Sequence, residues 1–244
     1  MSGDKMLAEG HFVQVHLPID GNGVLTPALV ADVNKACSRA EESEKAVLVV
    51  DVRGEPAPGR SRMWPGDLER TDIQLVNQWE QALRRIERLG NLTIATVRGD
   101  CTGVALELLL TADYRLATSD FRIRLKGPSG EIWPGMHVFR LAHQVGIARS
   151  RRVVLFGAEL SKALAVELGL VDDVNDNLDS AVQNFIGSLG RDTAAELTLR
   201  RRLLLDATTM IFEDAVGVHL AACDRMRRRA SLATTDGAKI ETIR

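Results

Sequence analysis

Apolar positions along the 244-residue chain recur in two rhythms, and the rhythms alternate. "HFVQVHL" (11–17) places an apolar residue at every second position, the period of a half-buried strand. "AVLVVDV" (46–52) is a short β-branched run and predicts a strand buried on both faces. "LTIATV" (92–97) predicts another strand. Between these strands the period lengthens. Thr26 followed by Pro27 suits a helix start, giving a helix over 27–40. Leu75, Trp79, Leu83 and Ile86 form one stripe of a helix over 72–89, which Gly90 stops. Strand, helix, strand, long helix, strand is the order of a parallel α/β layer. The stretch 53–66 carries Gly54, Pro56, Pro58, Gly59, Pro65 and Gly66 and predicts a loop.

After Arg98 the chain turns at Gly99 and Gly103 and becomes helical to about Ala112. Short strands are expected at 114–117 and 121–125. Helices are expected at 136–145, 148–156, 161–168, 179–189, 192–207 and 210–230, interrupted by "GLVDDV" (169–174). The expected organisation is an α/β core over 1–175 and a helical C-terminal region over 176–244 that completes the site or the oligomer. Fraying is expected from Thr234 onward.

Composition narrows the function classes. The 45% hydrophobic content supports a substantial core, and 31 basic against 33 acidic residues gives a net charge of −2. That balance points away from nucleic acid, whose binding needs a basic excess on one face. No apolar run reaches the ~18 residues of a membrane span, and "MSGDKMLAEG" has no apolar core of a signal peptide, so a cytoplasmic location is expected. Cys37, Cys101 and Cys223 are too widely spaced for a zinc motif or a disulfide framework. His137 and His143, six apart, match no metal-ligand spacing, so no metal is expected.

One residue breaks the pattern. Val104 to Leu110 is apolar except for Glu107. A helix starting near Gly103 leaves its first amides unpaired, and those amides favour negative charge. Glu107 lies one turn in, with 103 and 104 on its face, and helical side chains lean toward the N-terminus. One locus thus joins donors for a developing oxyanion to a partly desolvated acid/base group. The plainer alternative is a carboxylate that only complements the helix dipole, worth about 0.3–1 kcal/mol.

Several segments in order, "LVVDVRG…WPGDLE", "VRGDCTGVALELLLTADYRLA", "WPGMHVFRLAHQVG" and "AELSKALAVELGLVDDV", resemble the crotonase (enoyl-CoA hydratase/isomerase) superfamily from about Ala46 to Val174. Glu107 and Asp113 fill its Glu and Asp places, Pro134–Gly135 and Arg140–Leu141 its Pro-Gly turn and Arg-Leu helix, and Ala165 to Asp172 its last segment. The resemblance implies a crotonase-like ββα spiral acting on an acyl-CoA without a further cofactor, as trimers or hexamers. It implies that the backbone amides of Gly66 and Val104 hold the thioester oxygen and that Glu107 moves protons.

Two departures from the family bear on mechanism. The usual triple-glycine turn reads Gly103, Val104, Ala105, and the β-branched Val104 crowds its own amide. The second glutamate of the hydratases falls on Gly127; Glu131, four residues on, is either its replacement or a solvated loop residue. One assured carboxylate suits isomerisation, dehydration or aromatisation better than water addition. "SGEIWPGM", "GDCTG" and "WEQALRRIERL" further resemble the hydratase-like accessory enzymes of 3,5-dihydroxyphenylacetyl-CoA formation, which implies dehydrative aromatisation beside a type III polyketide synthase. The alternatives are an ordinary enoyl-CoA hydratase and a non-catalytic partner of that synthase. Trp64 and Trp133 are candidate walls for an aromatic product, and Arg53, Arg60 and Arg62 candidate contacts to CoA phosphates; packing and solvation are their plainer fates. "RMRRR" (225–229) reads as a solvated helix face or a phosphate contact. Cys101 lies where a helix start can lower a thiol pKa.

Overall fold

The first three long strands lie side by side and parallel. β1 (Val13–Asp20), β2 (Ala46–Arg53) and β3 (Leu92–Arg98) pair in register, Val13 against Ala46 and Arg53 against Arg98. β5 (Tyr114–Ala117) and β8 (Asp173–Val174) extend the sheet to the order β1-β2-β3-β5-β8, all parallel. The computed structural model describes residues 12–21, 24–54, 72–125, 135–189 and 194–241, with side chains of the last stretch from 196 to 228.

Parity along β2 shows why its sequence is continuously apolar. Leu48, Val50 and Val52 enter one core, while Val47 and Val49 enter another on the opposite face. The first core receives α1 (Pro27–Glu41) and α2 (Ile73–Glu87). The Thr26 hydroxyl accepts from the Leu29 amide at 3.1 Å, with Pro27 in the first turn, and the Asp72 carboxylate accepts from the Gln74 amide at 3.0 Å. The second core is covered by α7 (Leu178–Ser188), whose Leu178, Ala181, Val182 and Ile186 pack on Val47, Val49, Ile94 and Leu116. Phe185 stacks on Tyr114 with ring centroids 3.6 Å apart.

A second, three-stranded sheet was not expected from the sequence. β4 (Asp100–Cys101), β6 (Arg122–Ile123) and β7 (Leu160–Ser161) have two residues each, too few to display a period. The buried carboxylate of Asp100 ties the sheet together, 3.3 Å from Arg122 and 3.1 Å from Arg124.

The remaining elements are helical: α3 (Gly103–Leu109), α4 (His137–Val145), α5 (Ile147–Phe156) and α6 (Lys162–Glu167), followed after α7 by α8 (Ala194–Asp206) and α9 (Phe212–Glu241). The chain divides into compact units Met1–Ala195 and Glu196–Arg244. Within the first unit, α7 buries its apolar face on the sheet. α9 stays helical through residues expected to fray, as far as Glu241. Among the described residues no helix is long and apolar enough to cross a membrane.

Candidate active site

The carboxyl ends of β1, β2 and β3 converge with almost no room between them. Gly21 donates its amide to Arg53 O at 2.9 Å, and Gly54 to Arg98 O at 2.8 Å. A Cβ on Gly54 would lie 1.8 Å from the Asp100 carbonyl oxygen. Only glycine lets these backbones touch. The turn from Gly99 to Gly103 sits over this junction, with Gly99 at φ 67° and Gly103 at φ 48°, a region that side chains disfavour. It delivers α3 to the carboxyl edge of the sheet, where parallel α/β sheets place their ligand sites.

The N-terminus of α3 is left uncapped. Thr102 occupies the cap position in an extended conformation, but its hydroxyl donates to Gly21 O at 3.2 Å instead of capping. The amides of Ala105 and Leu106 turn to the Thr102 carbonyl, and among the described residues no acceptor takes the Val104 amide. The other end is clamped. Buried Arg115 donates to Leu110 O at 3.2 Å and Ala112 O at 3.3 Å, and Gln144 donates to Leu110 O at 2.8 Å. The helix is fixed at its carboxyl end and keeps a donor open at its amino end.

Glu107 is 2% exposed, and three elements meet around it. Trp79 of α2 donates its indole N–H to Oε2 at 2.6 Å. His137, in the first turn of α4, brings Nδ1 to 3.5 Å from Oε1. Arg140, one turn further on, is buried and bonds Glu87 at 2.7 Å and Glu80 at 3.1 Å, pinning α4 to α2. Burial pushes the Glu80 carboxyl above the ordinary carboxylate range; Arg140 opposes this and Glu107 reinforces it.

Residues 24–196 of the chain match the enoyl-CoA hydratase/isomerase family. The chain belongs to that family. An enoyl-CoA hydratase of Amycolatopsis orientalis is 42% identical over 214 residues, 87% of this chain and 95% of that protein. Solved structures agree at the level of fold. An enoyl-CoA hydratase from Shewanella pealeana superposes with a TM-score of 0.75 at 18% identity, covering 91% of this chain and 86% of that one. An enoyl-CoA hydratase/isomerase from Cupriavidus metallidurans does so with 0.74 at 18% identity, covering 93% and 89%. The crotonase-like α/β fold with a helical C-terminal region is therefore established.

In this family member the expected site residues separate into groups. Glu107 and Val104 stand on one short helix, Val104 being 8% exposed. Gly66, Trp64, Arg62, Arg60, Gly127, Glu131 and Trp133 lie outside the described residues. Asp113, matched to the family's Asp, does structural work: its carboxylate accepts from the Thr93 amide at 2.8 Å. Asp172 likewise accepts from the Arg115 amide at 2.8 Å. Arg53, a candidate contact for CoA phosphates, is ion-paired to Asp51 at 2.6 Å. Cys101 corrects an expectation. Its thiol is pushed up rather than down, by burial and then by Asp100, so desolvation outweighs any helix-start effect.

Sequence reading missed two neighbours of Glu107. Trp79 reads as one more residue of an apolar stripe, and it is buried as such, but its N–H is spent on the carboxylate. His137 lies six residues from His143, a spacing that suggests no role. A buried polar tip on an apolar stripe was the one available signal for Trp79; for His137 the sequence offered none.

Proposed function

We propose that this chain catalyses proton transfer on an acyl-CoA thioester through an enolate, as a lyase or isomerase of the dehydrating type. The observation that carries the reading is the pairing on α3 of an uncapped Val104 amide with the buried carboxylate of Glu107. A thioester oxygen at the Val104 amide gains charge as the α-proton leaves, and one such donor is worth about 10²–10³ in rate. Glu107 takes the α-proton, and Gly66 supplies the second amide. Glu131 assists the proton transfer, Trp64 and Trp133 wall the acyl group, and Arg62 meets the CoA phosphates.

The substrate we favour is a polyketide-derived CoA thioester dehydrated and aromatised to 3,5-dihydroxyphenylacetyl-CoA, beside a type III polyketide synthase. Glycine at position 127 supports it, because water addition needs a second positioned group there. The second reading, an ordinary enoyl-CoA hydratase, is favoured by the likeness to the Amycolatopsis protein of that description. Two assays separate them. Loss of enoyl absorbance on crotonyl-CoA should be negligible, and Gly127→Glu should raise it little, since a second carboxylate beside Glu107 disfavours the ionisation of both. Product analysis of the synthase reaction from malonyl-CoA should show more dihydroxyphenylacetyl-CoA with the protein present. That gain should fall at least ~10² with Glu107→Gln, and less with Glu131→Ala. Robust hydration of crotonyl-CoA by the wild type establishes the ordinary hydratase instead. An output gain that survives Glu107→Gln leaves only the non-catalytic role of a synthase partner.

A further inference from the structure

Trp79 satisfies only one oxygen of Glu107. Oε1 faces His137 Nδ1 at 3.5 Å, beyond ordinary hydrogen-bond length, and both side chains are buried. Oε1, Nδ1 and the other ring nitrogen, Nε2, have no hydrogen-bond partner among the described residues. Buried polar atoms left unpaired cost about 1–3 kcal/mol each, so three in one place call for a use. The helix that carries the imidazole is anchored: Arg140, one turn along α4, is bonded to Glu80 and Glu87 on α2. Among the described residues, the titratable groups set against Glu107 are Glu80 from α2 and His137 from α4, and Arg140 is engaged by Glu80 and Glu87. Glu80 repels a charge on Glu107, and a buried carboxylate with one donor is poorly compensated. His137 is the neighbour placed to supply the second donor.

We propose that His137 is a positioning residue for Glu107: a closure of a few tenths of an ångström lets Nδ1–H donate to Oε1, so that Trp79 and His137 hold the two carboxylate oxygens between them. The proposal rests on Glu107 being the proton-transfer group. It makes this site a carboxylate–imidazole pair, an arrangement in which the partner of one ring nitrogen fixes the tautomer. A neutral His137 then carries its proton on Nδ1 and leaves Nε2 as an acceptor.

Nitrogen-15 NMR of the histidine rings in the free protein tests this without any substrate. Wherever the ring is neutral, His137 should show the Nδ1–H tautomer, and Glu107→Leu should abolish that preference. An Nε2–H tautomer in the wild type overturns the proposal, whether or not the variant folds; so does a His137 spectrum that Glu107→Leu leaves unchanged. Kinetics give the second test. His137→Leu should lower kcat at least about tenfold with KM little changed. His137→Asn, whose amide nitrogen stands near the place of Nδ1, should recover most of the loss. Equal losses in the two variants, with both folded, reduce His137 to a packing residue. If the tautomer is as expected but Glu107→Gln turns over normally, the proposed function fails and the pair is only structural.

Discussion

The indole nitrogen of Trp79 and Oε2 of Glu107 stand 2.6 Å apart, 28 residues apart in sequence, and both residues are at most 2% exposed. A residue of the α2 core stripe is thereby also the donor that allows an ionisable group to sit in the apolar interior. Hydrogen bonds to charged groups are the stronger kind, about 1.5–3 kcal/mol.

Removing that donor should therefore cost more than the lost packing. Trp79→Phe and Glu107→Leu should couple by about 1.5–3 kcal/mol in a double-mutant cycle read by urea unfolding. Additive effects of the two substitutions would mean that the bond contributes nothing to stability.

The glycine junction beneath the site should tolerate no side chain. Gly54→Ala would set a Cβ 1.8 Å from the Asp100 carbonyl oxygen, backbone against backbone. We expect no folded protein, or a loss beyond about 4 kcal/mol. Gly90→Ala is the control, since nothing lies within 4 Å of its added Cβ. Its effect on thermal unfolding should stay within about 0.5 kcal/mol. A stable, active Gly54→Ala protein would contradict the close approach.

Cys37 gives a pH dependence with a definite sign. Burial, opposed by Arg85 and reinforced by Glu41, pushes its thiol from 9.0 up to about 11. The folded state thus holds the thiol proton more tightly than the unfolded chain. That contribution is fully present below about pH 9 and is lost as pH rises toward 11. Two pH units correspond to about 2–3 kcal/mol. Unfolding free energies at pH 8 and at about pH 11 should fall less steeply in Cys37→Ala than in the wild type. Parallel slopes would show that the thiol does not titrate with folding.

The last helix presents an apolar face to solvent. Phe212 is 77% exposed, Leu220 64% and Met226 46%, with Val216, and Ile211 just before the helix, also exposed. Such residues in one helical segment suit burial against another copy, and we expect a trimer, or a hexamer of paired trimers. Leu220→Asp should shift the species toward monomer in light scattering. A wild-type monomer at micromolar concentration would sink this expectation.

How much of this was legible beforehand depends on the range of each interaction. The strands β1, β2 and β3 and helices α1 and α2 announce themselves through period, cap and turn residues within a few positions, and the sequence by itself determined them. It also determined that Glu107 is anomalous, since a charge inside Val104–Leu110 stands out in any register. Tertiary structure alone decided what surrounds that charge. β4, β6 and β7 are two residues long and exist only as partners of one another. α7 belongs with the sheet because its apolar stripe fits Val47, Val49, Ile94 and Leu116, a match between distant segments. Trp79 and His137 carry no local mark of function. They become neighbours of Glu107 because Arg140 locks α4 onto α2 and the glycine junction aims α3 between them. Local patterns repeat every two or 3.6 residues, and a contact across 28 residues leaves no trace in them.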